Sequence, residues 1–87
     1  MPEKADQRLM KKVEAALRSH FRDAQIKVGP GFHDNIHVLI TWSGFAHKTD
    51  RQRQEEVWEA IDASGLTQRE KVTISMILPA TPEEVAR

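Results

Sequence analysis

The sequence predicts an α+β fold: a two-layer α/β sandwich in the order α-β-β-α-β, with helices on one face of a three-stranded mixed sheet. Three observations predict it. An amphipathic stripe of helical spacing runs from Ala5 to Phe21, two alternating segments separated by a Gly/Pro-rich link follow it, and a capped helix leads into a third alternating segment. With 87 residues, 39% of them apolar and 30% charged, the chain fits one compact domain over residues 1–87 and argues against long disorder.

In the first segment Leu9, Met10, Val13, Ala16, Leu17 and Phe21 recur at steps of three and four, with Lys11, Lys12, Glu14, Arg18 and Arg22 opposite. His20 lies at the boundary of that stripe. Gln25-Ile26-Lys27-Val28 then alternates with a period of two, and Gly29-Pro30-Gly31 is expected to break the strand and open a loop through Asn35. Ile36, Val38, Ile40 and Trp42 share one face of a second strand, while His37, Leu39 and Thr41 share the other. The short link predicts antiparallel pairing of these two strands. Thr49 with Gln52 three residues on spells a capping box, so the second helix starts near Thr49 or Asp50, carries Val57, Trp58, Ala60 and Ile61 inward, and stops at Gly65. Leu66 is placed to fold back on its last turn.

Val72, Ile74, Met76 and Leu78 read as the inner face of the third strand, with Thr73, Ser75 and Ile77 on the open face. Thr81-Pro82-Glu83-Glu84 begins a last helical turn: a cap, a proline at the first helical position and an acidic start. Leu39 and Ile77 are the apolar residues this scheme leaves on the open sheet face, where side by side they would seed a partner contact.

Thirteen basic and thirteen acidic residues balance, so no overall field draws the chain to nucleic acid or an anionic membrane. The absence of cysteine excludes disulfides, thiolate metal sites and a cysteine nucleophile. Continuous apolar runs such as Val38-Leu39-Ile40 fall far short of the ~20 residues that span a bilayer. With no signal peptide in view, the cytoplasm is the expected compartment.

The chemistry-bearing residues are few. His33 and His37 are close in sequence, but their spacing matches no helical zinc motif, so no metal is assigned and the pair stands only as a candidate. No Gly-x-Ser-x-Gly, no nucleophile beside a base and no phosphate-loop lysine is present, and an enzyme is not expected. His47, Lys48, Arg51 and Arg53 form a basic patch at the start of the second helix, blunted by Glu55, Glu56 and Glu59 one turn on. The Gly-x-x-Gly loop with which KH domains clamp a nucleic-acid backbone is missing.

The chain resembles the BolA family in its element order and in four stretches: Ile36-His37-Val38-Leu39-Ile40, Phe45-Ala46-His47-Lys48-Thr49, Gln52-Arg53 with Val57-Trp58-Glu59-Ala60-Ile61, and Thr81-Pro82-Glu83-Glu84. That resemblance implies a fold like the class II KH domain without its Gly-x-x-Gly loop. It also implies binding to monothiol glutaredoxins, in some members through a shared iron–sulfur cluster, and in some members DNA binding and transcriptional regulation under stress. The family's Arg-His pair on the second helix is Arg53-Gln54 here, and no histidine follows His47, so the cluster ligand near the third strand has no counterpart. His33 matches the position of the other ligand, in the loop between the first two strands. One ligand cannot share a cluster, so a cluster-free protein contact and no cofactor are expected.

The sequence therefore points to a non-enzymatic BolA-like binding module that uses the loop 29–35, the region His47–Arg53 with Gln54, and the open sheet face. Two alternatives differ in class. One is a divergent KH-like nucleic-acid binder gripping phosphates with Lys48, Arg51 and Arg53. The other is a small protein-interaction domain with a metal held by His33 and His37.

Overall fold

The computed structural model of the protein describes residues 7–31 and 35–86. Its first helix, α1 (Gln7–His20), buries Leu9, Val13 and Leu17, one residue per turn of the predicted stripe, and Phe21 closes the row. The predicted start at Ala5 lies outside the described residues.

The strand β1 (Gln25–Pro30) pairs antiparallel with β2 (Ile36–Thr41), as the short link predicts. It does not stop before Gly29. The Gly31 N–H donates to the Asn35 carbonyl at 2.7 Å. Hydrogen-bonded pairs recur at every second residue of an antiparallel ladder, so Gly29, Lys27 and Gln25 bond to His37, Leu39 and Thr41. Pro30 falls between bonded positions on an edge strand, where its missing N–H costs nothing.

Strand β2 is central, with β1 on one side and β3 (Ile74–Ala80) parallel to it on the other. Ile36, Val38 and Ile40 are buried on the face covered by helices, while His37, Leu39 and Thr41 are only half-buried on the other.

The helix α2 (Asp50–Asp62) starts where the capping box places it: the Thr49 side chain accepts from the Gln52 N–H, and the Gln52 side chain accepts from the Thr49 N–H. It buries Val57, Ala60 and Ile61, and leaves Trp58 half-buried against the core. Beyond it Gly65 adopts a φ of +84°, a left-handed turn that strains residues with a Cβ, and Leu66 folds back into the core.

Two further features depart from the sequence expectation. A short helix, α3 (Gln68–Val72), precedes β3, capped by Thr67 and Glu70 in a second reciprocal box. Val72 therefore ends a helix and is 66% exposed instead of starting the inner face of a strand. The second departure is a register shift: Ile36 pairs with Ile74, but His37 pairs with Met76, so Ser75 is the extra residue of a bulge. Each residue after it changes face. Ile77 joins the core, while Met76 and Leu78, expected inside, stand on the open face. The last turn, α4 (Pro82–Ala86), has a third box of the same kind, between Thr81 and Glu84.

The core lies between the sheet and the pair α1 and α2, and is completed by Phe45 from a 3₁₀ turn over Ser43–Phe45. Phe45 is fully buried. Its ring meets Trp42 edge-on at 5.1 Å between centroids and lies 5.8 Å from Phe21.

Candidate functional site

The basic patch predicted at the start of α2 is present, but its charges are largely consumed within the molecule. Lys48 pairs with Glu56 at 2.6 Å, and its ammonium lies 5.5 Å from the centre of the Trp42 ring. Arg51 is exposed and pairs with Glu55 one turn along at 3.4 Å. His47 is exposed and holds a left-handed backbone with φ of +67°, so the chain reverses there between the 3₁₀ turn and the cap of α2.

Arg53 corrects the sequence expectation. As a phosphate-gripping residue it should reach into solvent; instead it is 8% exposed. Its guanidinium donates to both Glu84 oxygens, at 2.8 and 3.2 Å, to the Lys48 carbonyl at 3.1 Å and to the Pro79 carbonyl at 3.3 Å. A guanidinium with its donors committed to a carboxylate and two carbonyls has no fork left for a phosphate. The Glu84 hydrogen bonds raise Arg53 above its usual pKa, and Arg53 in turn holds the Glu84 carboxyl down at about 2, helped by the Thr81 N–H.

Gln54 has a related task. Its side chain donates to the Ile77 carbonyl at 2.8 Å. The Ala80 carbonyl accepts from the Trp42 N–H and so points at β2; by alternation the Pro79 and Ile77 carbonyls point away, along the outer edge of β3. Arg53 and Gln54 thus cap that edge, and Pro79 contributes no N–H to it. Arg53 and Gln54 together secure the sheet to α2.

The histidines are dispersed. His33 lies outside the described residues. His37 is half-buried on the open sheet face with its imidazole packed against Gly31, where a Cβ would meet Nε2 and the ring would have to shift. Among the described residues no group of three or more His, Asp or Glu is placed to hold a metal. Likewise no helix there is long and apolar enough to cross a membrane.

The open face shows what the sequence missed. The cross-strand pairs Leu39 with Leu78 and His37 with Met76 occupy it, beside Lys27 and Gly29 of β1. Leu78 is 52% and Met76 43% exposed. At the end of the strands, Pro82 and Val85 of α4 border a shallow groove with Gln25, Thr41 and Ser43. The expected pair of Leu39 and Ile77 is replaced by Leu39 and Leu78, because the bulge at Ser75 turns Ile77 inward. A two-residue period carries no mark of such a bulge; the Thr67-x-x-Glu70 spacing, which shortens the strand from its start, was the available signal for Val72.

No protein-family model matches the chain, and no curated protein matches it.

Proposed function

We propose that the chain is a non-enzymatic binding module of BolA-like type whose open sheet face docks a protein partner. The carrying observation is the solvent-facing row of Leu39, Leu78 and Met76, adjacent apolar side chains on a surface that no helix of the described residues covers. The element order agrees with the fold that the resemblance implies and supports it at that level. The resemblance supplies the partner class, a monothiol glutaredoxin, and the missing second histidine supports a contact without a shared cluster. The pairing of Lys48, Arg51 and Arg53 with carboxylates weighs against the nucleic-acid alternative.

The test is a titration of the isotope-labelled chain with a purified monothiol glutaredoxin. Amide shifts are expected at Leu39, Met76 and Leu78, with Leu78→Ser weakening the complex about tenfold, on the order of one well-buried apolar contact. No shift, or shifts confined to residues 47–53, would overturn the assignment of the face. Binding to a single-stranded oligonucleotide that collapses between ~50 and ~200 mM salt would favour the nucleic-acid reading instead.

A further inference from the structure

The two edges of the sheet are finished differently. On β3 the outward carbonyls of Ile77 and Pro79 are capped by Gln54 and Arg53, and Pro79 has no N–H to offer. On β1 the ladder to β2 uses Gln25, Lys27 and Gly29, so the N–H and carbonyl groups of Ile26 and Val28 point outward, and no strand or side chain of the described residues meets them. We propose that this edge of β1 is a strand-addition site for an extended peptide that presents an acidic residue opposite Lys27.

Backbone groups along an open edge accept any extended chain, so selectivity comes from side chains. Lys27 is the only charged residue of β1, and it is exposed on the open face. An antiparallel peptide bonded to Ile26 and Val28 places one residue between those bonded pairs, directly opposite Lys27, at the spacing where cross-strand side chains are closest. A carboxylate there meets the ammonium. The neighbouring peptide residues, opposite Ile26 and Val28, face the helical layer and suit β-branched side chains.

The same geometry disfavours a second copy of this chain. Pairing Ile26 with Val28 of a copy sets the two Lys27 side chains against each other. A register centred on Val28 brings Ile26 opposite Pro30, which has no N–H. A register centred on Ile26 brings Val28 opposite Ala24, whose N–H already donates to the Phe21 carbonyl at 3.0 Å. Each self-pairing loses a bond or opposes two like charges, whereas a peptide with a central carboxylate does neither. This site is separate from the open-face reading above, and neither depends on the other.

The experiment is amide hydrogen exchange on the full chain, alone and with a capped peptide of the sequence Thr-Val-Glu-Val-Thr. Alone, the Lys27 and Gly29 amides should exchange slowly and those of Ile26 and Val28 fast. Saturation with the peptide should slow Ile26 and Val28 about tenfold or more. The same peptide with Lys at its centre should bind about fivefold more weakly, the scale of one exposed charge pair, and Lys27→Glu should reverse the preference. Val28→Pro should abolish protection, because it removes an edge N–H and leaves the ladder intact; Lys27→Glu keeps the test valid should that variant fail to fold. Equal affinity for both peptides, or no protection at saturating peptide, overturns the proposal. So does protection of Ile26 and Val28 without peptide in a sample that sediments as a dimer.

Discussion

At the start of α2, three cations stand within six residues of chain, and each is held by a carboxylate: Lys48 by Glu56, Arg51 by Glu55 and Arg53 by Glu84. On the open face of the sheet, Leu39, Met76 and Leu78 stand side by side with no helix of the described residues over them. The cations of the charged region are therefore paired within the molecule, Arg53 in a buried setting and Arg51 in an exposed one, and the apolar row is the surface proposed to meet a partner. Charge in a sequence marks where an ion can be held, and its own neighbours have first claim. Apolar residues mark the core only as long as the strand keeps its phase.

The contrast can be broken most severely beneath the charged region. Phe45 is fully buried under Arg53, whose guanidinium lies 5.9 Å from the ring centre, and it touches Trp42 and Phe21. Phe45→Ala should destabilise the domain by about 3–5 kcal/mol, the cost of a large aromatic cavity, read as a lower denaturant midpoint at unchanged slope. A loss near that of an ordinary surface substitution would mean that this end of the molecule is not built on the aromatic cluster.

Next in size is Arg53→Met, which keeps the side chain's bulk and removes its donors. Two backbone carbonyls then lose their partner, and the expected cost is about 2 kcal/mol, held to the lower range of charged hydrogen bonds because Glu84 is half-exposed. Met is the informative replacement. If Arg53 served mainly to bind a phosphate, Arg53→Met would leave stability untouched or raise it, as relief of a crowded cation would.

The asymmetry between the regions also explains how much was legible in the sequence. The amphipathic stripe of α1, the alternation in β2 and the caps of α2 and α4 are local signals, and each stood in the chain within four residues of where it acts. The sheet face of Ile77 was not local. It depends on a bulge at Ser75, which is defined by the pairing partner Ile36-His37, some forty residues away in sequence. Arg53 is a similar case. Its position on α2 could be read from helical spacing, but Glu84 comes into reach only when β3 carries α4 back past the start of that helix. Phe45 sits outside both periodicities, in a 3₁₀ turn, so neither pattern flags it as core.

A pH series sharpens the ion-pair side of the comparison. The Glu84 carboxyl is held at about 2, below its usual 4.5, by Arg53 and the Thr81 N–H. Because the folded value lies below the unfolded one, this contribution is complete above the unfolded pKa and is lost as pH falls from about 4.5 towards 2. Glu70, lowered by the Thr67 N–H and Lys12, adds a loss in the same direction. The melting temperature should thus fall on acidification across this window, and Glu84→Gln should flatten the fall while leaving the difference between pH 6 and pH 8 unchanged. An equally steep acid profile in the variant would assign the pH dependence to other carboxylates.

The smallest effect on stability should come from the face proposed to bind a partner. Leu78 is half in water, opposite a half-buried Leu39, and no helix of the described residues packs on it, so Leu78→Ser removes little buried area. Its unfolding midpoint should move by no more than about 0.5 kcal/mol, the range of surface substitutions without a structural role. Ile77→Ser, one residue earlier and on the other face, should cost several times as much, since it places a hydroxyl in the core. Comparing these neighbours isolates the bulge itself. If Leu78→Ser proved the more damaging of the two, the strand would keep its original phase beyond Ser75, and the apolar row proposed to meet a partner would lie beneath the helices.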